Sequence, residues 1–357
     1  MDLSTLSNLT DPVILFFVLG LLAGSVRSNL EIPPPVTKFL SLYLLMAIGF
    51  KGGQALAESG FTVTALKVVA IAMTLSLVIP ALGYLVLRRR VNPFDAAAIA
   101  ATYGSVSAVT FIAASQVVTA RGDDPGGHMT VALVLMESPA IVMAVVLAGW
   151  ARSQARDRQP LAVGDRTTRV GAASIAPRGT GVADGPAGDD PDRTEGLGTV
   201  LRGAFTEGTF VLLVGSLVIG AATGPAGGQA MAPFINDLFK GLLAFFLLEM
   251  GLLVARQTRE VKGIPAFLVG FAVVMPLVGA ALALLLGSVA GLSVGDLTLL
   301  TVLAASGSYI VVPAVVRYAI PEALPSRYLT MSLGITFPFN IVVGIPLYHA
   351  VAGMVAR

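Results

Sequence analysis

A chain of 357 residues that is 55% hydrophobic and 12% charged is too apolar for an ordinary soluble domain and belongs in a membrane. Its net charge of +2 is too small to argue for nucleic acid, and the absence of cysteine excludes disulfides, thiolate nucleophiles and thiolate zinc sites. With His128 and His349 as its two histidines, imidazole-based metal or acid–base chemistry is poorly supplied.

No basic run precedes the first apolar segment, so that segment is expected to be a retained helix and not a cleaved signal. About 20 apolar residues cross a bilayer core of roughly 30 Å, and the chain offers ten such helices. Helix 1 covers 13–28 and stops ahead of Pro33-Pro34-Pro35, a proline turn that separates it from helix 2 at 36–57. Lys51, near the far end of helix 2, is expected to snorkel. Helix 3 at 62–87 ends in Arg88-Arg89-Arg90, helix 4 covers 93–118, and helix 5 covers 129–151 after a polar turn from Arg121 to Gly126. Residues 152–203 exchange aliphatics for Asp, Arg, Gly, Pro and Ser and read as a disordered loop. Beyond it come helix 6 at 205–224, helix 7 at 232–255, helix 8 at 263–291, helix 9 at 296–317 and helix 10 at 327–353.

Lysines and arginines set the orientation. With both termini outside, Arg27, Lys38, Arg88 to Arg90, the central arginines, Arg256, Arg259, Lys262, Arg317 and Arg327 fall in the cytoplasm. The reverse assignment leaves that face Lys51, Arg121 and Arg357. Five helices per half is an odd number, so the second half runs inverted relative to the first, the topology of an inverted repeat. Ser105 and Ser107 match Ser306 and Ser308, and Pro139 matches Pro338, at a near-constant offset.

Two polar stretches interrupt apolar helices 4 and 9: Tyr103-Gly-Ser-Val-Ser-Ala-Val-Thr110 and Ala304-Ala-Ser-Gly-Ser-Tyr-Ile-Val311. A helix broken inside the bilayer frees N–H groups at the start of its second half, where the helix dipole favours an anion. Ser105, Ser107, Thr110, Ser306, Ser308 and Tyr309 would add hydroxyls, and freed carbonyls could hold sodium. Close packing of small residues explains either stretch alone; their pairing favours one site. Glu137, before Ser138-Pro139 in helix 5, is an acid at membrane depth and hence a candidate ion ligand. Its counterpart is Thr336, before Phe337-Pro338-Phe339-Asn340, which adds Thr336 and Asn340 as sodium candidates beside Ser107 and Ser308. Asn340 and Gln54 equally suit helix-to-helix bonds, and Glu249 in helix 7 suits either an ion or a structural hydrogen bond.

Gly104-Ser-Val-Ser-Ala-Val-Thr110, Glu137-Ser138-Pro139, Ala305-Ser-Gly-Ser308 and Gly334-Ile-Thr336 with Pro338, in this order along nearly the whole chain, resemble the sodium-dependent bicarbonate transporter family. The resemblance implies bicarbonate uptake driven by sodium, homotrimers, and an anion held where the two broken helices cross. Carried over residue by residue, it points to Gly104, Ser105, Ser107, Ala108 and Thr110 on one break and to Ser306 and Ser308 on the other; Gly307 and Tyr309, in the same stretch, complete the candidate anion site. Cyanobacterial members carry aspartate where this chain has Glu137, and another where it has Tyr309. They are controlled by a PII-like protein at the cytoplasmic face, which makes such a protein a candidate partner.

The expectation is therefore an all-α polytopic protein of the inner membrane. It has ten transmembrane helices in two inverted five-helix repeats, 1–151 and 204–357, with helices 4 and 9 broken. Helices 3–5 and 8–10 form the core, and helices 1, 2, 6 and 7 the scaffold. Sodium is the coupling ion and no cofactor is required. A carrier of another small anion or an organic acid is the alternative within transport. A membrane-embedded enzyme acting on lipid would need clustered histidines, acids or cysteines that this sequence lacks.

Overall fold

The computed structural model describes residues 12–60, 62–158, 208–258 and 263–356. Residues 1–11, 61, 159–207, 259–262 and 357 lie outside the described residues, and with them most of the expected polar loop at 152–203, the start of the expected helix 6 and the basic turn with Arg259 and Lys262. No strand occurs among the described residues; seven stretches are long and apolar enough to cross a membrane, and two further apolar helices are shorter.

Helices α1 (Pro12–Ser25), α2 (Pro34–Ser59) and α3 (Val63–Leu87) are separate rods. Pro34 brings a preset φ to the first turn of α2, and Thr62 caps α3 by accepting the Ala65 N–H. The polar stretch that follows separates α4 (Pro93–Gly104) from α5 (Ala108–Ala120). Helix α6 (His128–Arg158) runs into the region that composition marks as loop, and Arg152 there donates to the Ala319 carbonyl at 2.7 Å.

In the second half α7 (Gly208–Ala232) kinks at Gly224 and stays helical where a gap was expected. Gly224 has φ 54, a left-handed value that favours glycine, and Pro225 follows it. The kink exposes the Gly224 carbonyl, and Gln54 of α2 donates to it at 2.8 Å. Then come α8 (Phe239–Thr258), α9 (Ala266–Ala290), α10 (Val294–Ala304) and α11 (Val311–Ala319). The last helix, α12 (Pro325–Val355), contains two wide π turns, Thr330–Thr336 and Asn340–Gly344. Each lies just ahead of a proline, Pro338 or Pro346, which cannot donate to the carbonyl four residues back.

Helix α1 packs on α8 and α2 on α7, while α3, α4 and α6 pack on one another. Helix α9 packs on α10, which also touches α5 and α12. Glycine sets the first two approaches: a Cβ on Gly251 would fall 2.2 Å from the Phe17 carbonyl oxygen, and one on Gly53 1.9 Å from that of Leu217. Backbone cannot yield as a flexible side chain does, so Gly251→Ala and Gly53→Ala are each expected to cost about 1–3 kcal/mol. Thermal unfolding in detergent checks this, and an unchanged midpoint for both would mean that the helix pairs slide apart freely.

Helices α4 and α10 begin alike. Asn92 accepts the Asp95 N–H at 2.8 Å, and Ser293 accepts the Asp296 N–H at 3.2 Å. Buried Asp95 accepts the Leu324 N–H at 2.8 Å and bonds the Arg327 guanidinium. Buried Asp296 accepts the Gly126 N–H at 2.8 Å, with His128 Nε2 3.2 Å away. Each aspartate thus fastens the start of one split segment to a turn in the other half of the chain.

Candidate functional site

The first break is short. Gly104 ends α4 against the ring of Pro80, where a Cβ would come within 2.6 Å, and Ser105 continues in extended backbone. Ser107 caps α5: its hydroxyl oxygen accepts the Thr110 N–H at 3.2 Å and the Thr110 hydroxyl at 2.8 Å. With both acceptor positions engaged, the Ser107 O–H remains free to donate. The second break is longer, from Ala305 to Ile310 between α10 and α11. Its Ser308 hydroxyl accepts the Val312 N–H at 3.4 Å, a longer bond than either that Ser107 accepts, and no side chain caps α11 at its N-cap position.

The two breaks are bonded to each other. Ser308 N–H donates to the Thr102 carbonyl at 2.9 Å, filling an acceptor at the end of α4. Ser107 N–H donates to the Ser306 hydroxyl at 3.0 Å, and that hydroxyl donates to the Leu303 carbonyl at 2.9 Å. Helix α12 supports the second break, with Asn340 Nδ2 donating to the Ala305 carbonyl at 2.8 Å and the Tyr348 hydroxyl donating to Asn340 Oδ1 at 3.0 Å.

A cavity of about 20 Å³ opens where the breaks meet, room for about one water-sized group. Val106, Ser107 and Ala108 form one wall, and Ser308, Tyr309 and Ile310 another. Glu137 of α6, 5% exposed, is the single charged side chain lining it among the described residues. Leu45 of α2 and Leu213 of α7 close the remaining side. The buried Tyr309 hydroxyl faces Ser107 without a well-formed hydrogen bond, and its ring meets Phe337 edge to face at 5.6 Å.

Of the residues singled out from sequence, Ser107, Ala108, Ser308, Tyr309 and Glu137 line this cavity, while Thr110 and Ser306 bond the residues that do. Gly307 lies in the second break, nearest to Ser332 and the Tyr103 ring. Gly104, Ser105, Thr336 and Asn340 are not among the lining residues. The Ser105 hydroxyl is buried without a hydrogen-bond partner. The Thr336 hydroxyl donates to the Ala272 carbonyl at 2.6 Å and lies 2.6 Å from that of Tyr103. Sequence reasoning missed Leu45 and Leu213, which carry no mark separating them from other apolar residues. It also passed over Tyr103 as a functional group, although Tyr103 opens the first polar stretch.

The cavity therefore combines a carboxylate and hydroxyl oxygens, suited to a hard monovalent cation, with the start of α5, suited to an anion. Either ion alone would face an opposing charge or dipole, and the two together offset one another. No curated protein matches the chain. The family model of the Na+-dependent bicarbonate transporter superfamily matches residues 12–353, nearly the whole length. The chain belongs to the Na+-dependent bicarbonate transporter superfamily.

Proposed function

We propose that this transporter is a symporter that carries sodium and bicarbonate together through the cavity between the two helix breaks. The observation that carries the reading is the pairing of Glu137 with the α5 N-terminus at one small cavity, a cation-attracting group beside an anion-attracting one. Sodium is held by Glu137 with the Ser308 hydroxyl, since the Ser107 oxygen already accepts twice from Thr110. The anion takes the free Ser107 O–H and the opening amides of α5. Thr336 and Asn340 act at one remove, by fixing Tyr103 and the second break. Entry of the anion requires Tyr309 to move, because the cavity holds about one water-sized group, and a larger organic acid fits the space less well still.

Ten crossings in two inverted repeats fit the observed packing. Helix α2 lies on α7 as α8 lies on α1, and the Asp95 and Asp296 fastenings repeat the same device. Helices α1, α2, α7 and α8 form the scaffold, and the rest form the core. Alternating access comes from movement of one against the other at the cavity, where Leu45 and Leu213 meet the breaks. The lysine and arginine distribution supports a cytoplasmic central loop with both termini outside, and the inner membrane is part of the same proposal. A trimer and a PII-like partner follow from family likeness alone. Family membership also sets aside an enzyme acting on lipid.

Uptake of labelled bicarbonate into proteoliposomes tests the reading. An inward sodium gradient is expected to raise the initial rate; the same rate with and without sodium would overturn symport.

A further inference from the structure

A second cavity, of about 310 Å³, continues the seam on which the small one lies. Helical spacing carries Leu45 of α2 to Ile48 and on to Lys51, Gly52 and Ala55. The same spacing carries Ala108 of α5 to Phe111, Ser115 and Thr119. The first residue of each series lines the small cavity and the later ones line the larger. Ile48 and Phe111, both buried, stand one turn from the small cavity on either side of the seam.

Lys51 does not reach past the helix end into solvent. Its ammonium lies over the Phe239 ring, 4.6 Å from the centroid, in the wall of the larger cavity. Among the described residues no carboxylate forms an ion pair with it, and Lys240 is near enough to act on it as a second positive charge. Gln116, Thr130 and Asn236 add side-chain donors to the wall; among the described residues Asp124 is its single acid. An ammonium held against an aromatic face and unpaired keeps donors for a guest, and a cleft of low dielectric concentrates its field.

We propose that this cavity is the mouth through which a small inorganic anion enters, and that Lys51 is the residue that captures it. Ile48 and Phe111 form the apolar neck between mouth and site. The assignment deepens the transport reading above and rests on it for the identity of the anion.

The chain has no cysteine, so Ser115→Cys places a single reporter thiol in the cavity wall. A sulfonate-bearing methanethiosulfonate reagent is expected to modify it several-fold faster with Lys51 present than in Lys51→Gln. A neutral reagent of similar size should react equally in both, and Lys51→Arg should keep the faster anionic rate. Equal anionic rates with and without Lys51, or no reaction with the neutral reagent, would overturn the proposal. In proteoliposomes Lys51→Gln is expected to raise half-saturating bicarbonate several-fold and leave the maximal rate unchanged. A lowered maximal rate at unchanged half-saturation would assign Lys51 to packing and overturn its capture role. The thiol readout needs no transport. If the anionic preference holds while wild type takes up no bicarbonate, the symport reading falls and the anion mouth stands.

Discussion

Glu137→Gln is expected to raise the half-saturating sodium concentration by about tenfold or more, a loss of roughly 1.4 kcal/mol of sodium binding. The substitution keeps the shape of the side chain and removes its charge at the one charged position that lines the site cavity among the described residues. A buried carboxylate without its charge offers sodium a carbonyl dipole in place of a full negative charge, in surroundings that screen poorly. Ser308→Ala removes a neutral hydroxyl, worth about 0.5–1.5 kcal/mol by comparison, and is expected to shift sodium affinity less. Bicarbonate uptake titrated with sodium in proteoliposomes gives both numbers. Equal sodium affinity in Glu137→Gln and wild type would remove Glu137 from the ion site.

The largest effect on stability is expected at the other end of α4. Asp95 has a fully buried side chain, and its carboxylate is held by the Leu324 N–H and by Arg327, whose own side chain is 32% exposed. Arg327→Met takes away the compensating charge and leaves a buried carboxylate, at a cost of about 3 kcal/mol. Asp95→Asn with Arg327→Met together should recover part of that loss, because no charge is then stranded. Unfolding in detergent distinguishes the cases: a double variant no more stable than Arg327→Met would mean that packing, not charge, sets the cost. The corresponding pair in the other half is Asp296 with His128, whose Nε2 lies 3.2 Å from the carboxylate.

Much of this arrangement is readable in the sequence because polar residues are conspicuous against apolar helices. Ser107, Ser308 and Glu137 stand out for that reason, and the structure brings them to one cavity. The prolines mark further features, from the start of α2 to the wide turns of α12. Other features leave no such trace. The bond from Ser308 N–H to the Thr102 carbonyl joins backbone atoms that every residue but proline possesses, so no residue type announces it. Leu45 and Leu213 close the cavity as ordinary leucines, and which face of α2 or α7 meets the breaks is a matter of packing between distant segments. Lys51 reads as a snorkelling side chain until Phe239, far along the chain, is seen beneath its ammonium. Helix 225–232 escapes notice because glycine and alanine there give neither an apolar run nor a stop, and the kink at Gly224 looks like an end.

The stitching of the two breaks has a consequence for how the protein is made. The Thr102 carbonyl and the Ser107 N–H leave the ribosome with their partners, the Ser308 N–H and the Ser306 hydroxyl, still some 200 residues away, about 10–40 s at roughly 5–20 residues per second. Through that interval the newborn first half sits in the bilayer with polar backbone that hydrocarbon cannot satisfy. Neither half can complete its own interior, so maturation waits on the arrival of the second, and a ribosome stalled in the central loop leaves an unfinished bundle instead of a smaller working protein.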